Sequence, residues 1–75
     1  MKSEVLILTA EQELLNMPLA THLYMNFKTY KQLEEACFQQ MQIARPKRCE
    51  LLAFQGRVPV IDPSIPDNDF EARIM

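Results

Sequence analysis

Two helical segments separated at Arg45-Pro46, a stop at Gln55-Gly56, and β-rich stretches on both sides of a proline-rich turn predict an α+β fold. The order of these pieces spells a small winged helix-turn-helix: two core helices plus a C-terminal β-hairpin, with an N-terminal strand/helix extension. Residues 1–75 read as a single domain, 1–24 being the extension and 25–75 the winged-helix unit.

The elements follow in chain order. Glu-Val-Leu-Ile-Leu at residues 4–8 is β-branched and apolar, which predicts a short strand. Thr9-Ala10-Glu11-Gln12 has the form of a capping box and predicts a brief helix over residues 10–17, because Pro18 disfavours helical geometry at Met17. Leu19, Leu23 and Tyr24 have helical spacing and extend the expectation by another turn or two.

Thr29-Tyr30-Lys31-Gln32 repeats the capping-box logic. Beyond it Leu33, Ala36, Cys37, Met41 and Ala44 recur at three- and four-residue steps, the requirement for one buried helical face. Glu34, Glu35, Gln39, Gln40 and Gln42 fall mostly on the other side, so residues 30–43 read as a helix. Pro46 is acceptable at the first position of a new helix, and residues 46–54 read as the second one, bearing Leu51, Leu52 and Phe54. Gly56 then takes the left-handed cap position.

Arg57-Val58-Pro59-Val60-Ile61 predicts the first hairpin strand, and Phe70-Glu71-Ala72-Arg73-Ile74 the return strand. Between them residues 62–69 are dense in turn formers. Pro59 has no N–H for a ladder, so it must face an open edge or sit at a bulge.

With 75 residues, 48% of them apolar, the chain can build a core, but a thin one that oligomerisation would support. Cys37 and Cys49 are expected as free thiols in a reducing cytoplasm. The N-terminal apolar run is too short for a signal peptide or a membrane span, which makes the cytoplasm the expected location with no membrane association.

Charge is unevenly placed. The net value is −2, yet residues 25–60 carry Lys28, Lys31, Arg45, Lys47, Arg48 and Arg57 against three glutamates. The last fifteen residues carry Asp62, Asp67, Asp69 and Glu71 against Arg73 alone. A basic middle and an acidic end imply two surfaces with different duties, or an ordinary scatter of solvated charge.

The residues needed for catalysis are nearly missing. His22 is the single histidine, with no second ligand at metal spacing, and Cys37 and Cys49 match neither a redox pair nor a zinc site. Asp62, Asp67 and Asp69 lack the glycine and following glutamate of a calcium loop. One glycine in the whole chain excludes a glycine-rich phosphate loop. Neither catalysis nor a metal or cofactor is expected. What remains is Arg45, Lys47 and Arg48 at the start of the second helix, with Arg57 at the base of the hairpin and Lys31 on the first helix. At a recognition helix such side chains reach phosphates and guanine edges, Arg48 offering a bidentate fork.

Between residues 29 and 62 the chain resembles the Cox and excisionase group of phage regulatory proteins. The carrying residues are Tyr30-Lys31-Gln32-Leu33-Glu34-Glu35-Ala36, residues 48–54, and above all Gly56-Arg57-Val58-Pro59-Val60-Ile61-Asp62. The resemblance implies a small winged-helix protein that binds double-stranded DNA cooperatively, with Arg48 near the basic recognition-helix positions and Arg57 as the basic residue that opens the wing. It covers under half the chain, and Ala44-Arg45-Pro46 departs from the usual small-residue turn.

Two functions are therefore expected of the sequence. The first is a DNA-binding regulator of phage or mobile-element type, acting as a dimer or longer array through Arg45, Lys47, Arg48, Arg57 and Lys31. The alternative is a small protein-binding modulator that grips a basic partner with Asp62, Asp67, Asp69 and Glu71.

Overall fold

The computed structural model describes residues 3–41 and 51–74, which form two helices and a three-stranded sheet. The first helix, α1, spans Ser3–Asn16. No strand forms over 4–8. Leu6, Ile7, Ala10 and Leu14 point one way only in a helix, and all four are buried. Packing of that face overrides the strand preference of Val5 and Ile7. Thr9 consequently lies inside the helix, its hydroxyl donating to the Val5 carbonyl at 2.8 Å instead of capping. α1 stops two residues before Pro18, as the proline dictates.

The stretch expected to continue helically holds the central strand, β1, at His22–Met25. Leu23 and Met25 are fully buried, while His22 and Tyr24 turn to the opposite face and are half-buried. The second helix, α2, spans Phe27–Met41, one turn earlier at its start than the capping box at Thr29 predicts. Asn26 is the true cap: its Oδ1 accepts from the Thr29 N–H at 2.7 Å. Leu33 and Ala36 are buried as their spacing requires, and Cys37 packs half-buried against the core. Ala44 lies outside the described residues.

Of the helix expected over 46–54, residues 46–50 lie outside the described residues, and 51–53 have no regular structure. Phe54 instead forms an isolated antiparallel bridge with Arg57, closed by two backbone bonds of 2.8 and 3.0 Å. Gln55 and Gly56 both have positive φ, 49° and 78°, so Gly56 serves a tight reverse turn and not a helix end.

Strands form where expected, β2 at Val58–Ile61 and β3 at Glu71–Arg73, but they do not pair as a hairpin. The sheet order is β2-β1-β3, with β1 parallel to β2 and antiparallel to β3. Residues 62–70 are too long and too proline-rich for a tight turn, and they carry the chain past the end of β1 to the other edge. Val58 donates to Thr21 O and Asp62 to Met25 O, so Pro59 faces the outer edge of β2 and blunts it.

α1 and α2 pack on each other and against one face of the sheet. The core draws Leu6, Ile7, Ala10 and Leu14 from α1, Leu23 and Met25 from β1, and Leu33 and Ala36 from α2. Phe54, Phe70 and Ala72 complete it. Residues 3–24 thus supply core and central strand, not an appendage. No helix among the described residues is long and apolar enough to cross a membrane.

Candidate binding groove

Arg45, Lys47 and Arg48, three of the five cations expected at a DNA surface, lie outside the described residues, as does Cys49. Arg57 is turned inward. Its Nε donates to Ala20 O at 3.2 Å, Nη1 to Gln55 O at 2.8 Å and Nη2 to Pro18 O at 2.9 Å. One planar fork thereby ties the α1–β1 connection to the Gln55-Gly56 turn. Lys31 lies on the second turn of α2, its Nζ 3.8 Å from Oε1 of the fully buried Glu34. The same ammonium is 5.6 Å from the Phe27 ring centroid and 5.8 Å from that of Tyr30, within cation–π range.

The acids expected at a protein surface have local duties. Asp62 Oδ1 accepts from the Ser64 amide at 3.0 Å and the Ser64 hydroxyl at 2.7 Å, which hold its carboxyl below the ordinary aspartate value. Asp67 takes the Asn26 amide at 2.7 Å and Lys28 Nζ at 3.3 Å, and these lower its pKa in that order. Glu71 is lowered by Arg73, whose Nε lies at 2.9 Å; Arg73 is raised in return and stacks 4.2 Å over the Tyr24 ring. Asp69 is exposed, and its backbone N–H closes a turn onto Pro66 O at 3.2 Å. The acidic stretch is a strap across the start of α2. Asn26 donates to Ile65 O at 3.0 Å, and the buried Thr29 hydroxyl accepts the Asn68 amide at 2.8 Å.

The surface these contacts leave open is apolar. Phe27, Tyr30 and Lys31 from the first turns of α2 face Leu51, Leu52 and the outer edge of β2 across a groove of about 360 Å³. Phe27 is 60% exposed and Leu52 76%, and Val58 and Ile61 are also exposed along the strand. The Tyr30 hydroxyl donates to Leu51 O at 3.1 Å and fixes the far wall. Aromatic and aliphatic groups gathered around one concave surface are what a docking site presents.

Sequence patterning missed this groove because a helix start at Thr29 leaves Phe27 outside α2 and Leu52 reads as part of a helix over residues 46–54. The available signal was Asn26 immediately before Phe27: a cap there starts the helix a turn earlier and rotates Phe27 to the surface. Among the described residues no three of His, Cys, Asp or Glu come close enough to hold a metal ion. No family model, curated protein or solved structure matches this chain.

Proposed function

We propose that this chain is a non-catalytic protein-binding module that takes an apolar segment with acidic flanks into the groove between α2 and β2. The observation that carries it is the exposure of Phe27, Leu52, Val58 and Ile61 around one concave surface. An amphipathic helix laid along such a groove would bury these side chains. Acidic flanks follow from charge: Lys31 stands on the groove wall, and Arg45, Lys47 and Arg48 lie three to six residues before Leu51 in the chain, against the single acid Glu50. The gripping charges in this reading are basic. Asp62, Asp67 and Glu71 serve the fold instead.

The test is selection of random peptides of about 15 residues, long enough for anchors at i, i+3, i+4 and i+7, on the immobilised full chain. Binders with apolar anchors between acidic residues, lost on Leu52→Asp or Phe27→Asp and kept on Ile74→Asp, support the proposal. Binders indifferent to both groove variants sink it.

A second reading keeps double-stranded DNA as the target. It rests on the same cations, Arg45, Lys47, Arg48 and Lys31, concentrated within eighteen residues of a chain whose net charge is −2. Two helices with a three-stranded sheet are compatible with a winged-helix-like regulator of the Cox and excisionase kind, in which residues 42–50 would supply the recognition surface. Titration with mixed-sequence duplex at about 50 mM salt separates the readings. Amide shifts at residues 45–48 that fade as salt rises favour DNA, and silence there leaves the groove.

A further inference from the structure

We infer that α1 pairs with α1 of a second copy of this chain through its outward face, in parallel and in register. The inference does not depend on the groove. α1 is apolar on two opposite sides. One side, Leu6, Ile7, Ala10 and Leu14, is buried in the core. The other carries Val5, Leu8, Gln12 and Leu15, and its aliphatic members are 46%, 61% and 73% exposed in chain order.

Those four positions are separated by three, four and three residues, the alternation of the a and d positions of a heptad. With Val5 and Gln12 at a, and Leu8 and Leu15 at d, the residue types are specific. A β-branched residue at a with leucine at d favours two parallel strands, and one polar side chain at a fixes register. Leu8 and Leu15 are, with Leu19 and Leu52, the four most exposed large apolar side chains among the described residues.

The flanks decide direction. In this frame Glu4 and Glu11 occupy g, and Thr9 and Asn16 occupy e. Parallel pairing sets each glutamate beside an uncharged residue of the partner. Antiparallel pairing sets Glu4 against Glu11, a like-charge contact. Glu11 is also drawn back onto its own chain by Gln55, whose Nε2 donates to its Oε1 at 2.9 Å. Two copies face each other with aliphatic layers at 5, 8 and 15 and an amide pair at 12. The contact is small for a stable interface, so the dimer is weak and concentration-dependent.

Sedimentation equilibrium of the full chain from about 1 µM to 1 mM tests this. The expected result is a rise of apparent mass towards twice the monomer, abolished by the double variant Leu8→Glu/Leu15→Glu while its circular dichroism stays unchanged. A monomer across the whole range overturns the inference, as does a dimer indifferent to the double variant. Direction is read by disulfide trapping with oxidised glutathione in a Cys37→Ala/Cys49→Ser background. Gln12→Cys alone should cross-link. If it does not, and mixed Leu8→Cys and Gln12→Cys chains cross-link instead, the helices run antiparallel and the register inferred here is overturned.

Discussion

The side-chain amide of Asn26 donates to Asp67 Oδ1 at 2.7 Å while its oxygen caps α2 through the Thr29 N–H, also at 2.7 Å. One short side chain therefore starts the helix beside the groove and fastens the strap of residues 62–70 across that helix start. Replacing Asn26 by Ala removes a cap, about 1 kcal/mol, and loop bonds adding about another 1 kcal/mol. The expected loss is about 2 kcal/mol in urea unfolding. Asn26→Asp is the sharper variant. It keeps the cap acceptor but sets two carboxylates face to face, so its deficit should be large at pH 7 and shrink as acid protonates them. A deficit that does not change with pH would mean that Asn26 does not address Asp67.

Acid should loosen the strap in the native chain too. The folded-state pKa values of Asp62, Asp67 and Glu71 all lie below their ordinary values. Carboxyls lowered in this way stabilise the fold fully above their unfolded values, about 3.9 for Asp and 4.3 for Glu, and that contribution is lost as pH falls through the lower folded values. Unfolding midpoints should be flat from neutrality to about pH 5 and drop below about pH 4. Asp67→Ala should start lower and fall less steeply. All three groups are at the surface, so added salt should shrink the effect. An acid limb unchanged by Asp67→Ala would assign the drop to other carboxyls.

Arg57 offers a separation of structure from binding. Its three carbonyl partners belong to two connections that nothing but a planar fork can span at once. Arg57→Lys keeps the charge and loses the fork, and should lower stability by about 1–2 kcal/mol, nearly as much as Arg57→Ala. A phosphate contact would behave oppositely, since lysine neutralises phosphate well. Parallel measurements of unfolding and of duplex binding decide between these duties: a stable Arg57→Lys that tracks wild type in both would remove the structural assignment.

Much of this was legible in the sequence, and what was not has identifiable causes. The face of α2 follows from spacing, β2 from its β-branched content and β3 from its alternation of apolar and polar residues, and Pro59 sits at an open edge as its missing N–H demands. Residues 4–8 read as a strand because Val5, Ile7 and Leu8 look like one locally, whereas packing of the shared face of Leu6, Ile7, Ala10 and Leu14 makes them helical. β1, His22–Met25, is hidden because Leu19, Leu23 and Tyr24 have helical spacing and the run reads as further helical turns. Pairing of β2 with β3 was expected because they are adjacent in sequence, whereas β1, buried beneath both helices, occupies the place between them. The candidate site suffered most. Charge is visible in a sequence, but whether it is committed to a neighbour is not, and Arg57, Asp62 and Asp67 are all committed.

The turn at Gln55-Gly56 yields the last prediction. Both residues hold left-handed φ values, 49° and 78°, between the bonded pair Phe54 and Arg57. A Cβ on Gly56 would meet no heavy atom within 4 Å, so any cost of Gly56→Ala comes from its φ alone, about 1 kcal/mol. Gln55 already bears that strain, because glutamine has no affinity for the left-handed region. Asparagine tolerates it, and Gln55→Asn should gain about 0.5 kcal/mol despite losing the exposed bond to Glu11. Opposite signs for two single substitutions in one turn are hard to obtain any other way. If urea midpoints show both variants destabilised, the Glu11 bond matters more than the backbone; if Gly56→Ala is neutral, the turn does not hold the left-handed geometry that positions Arg57.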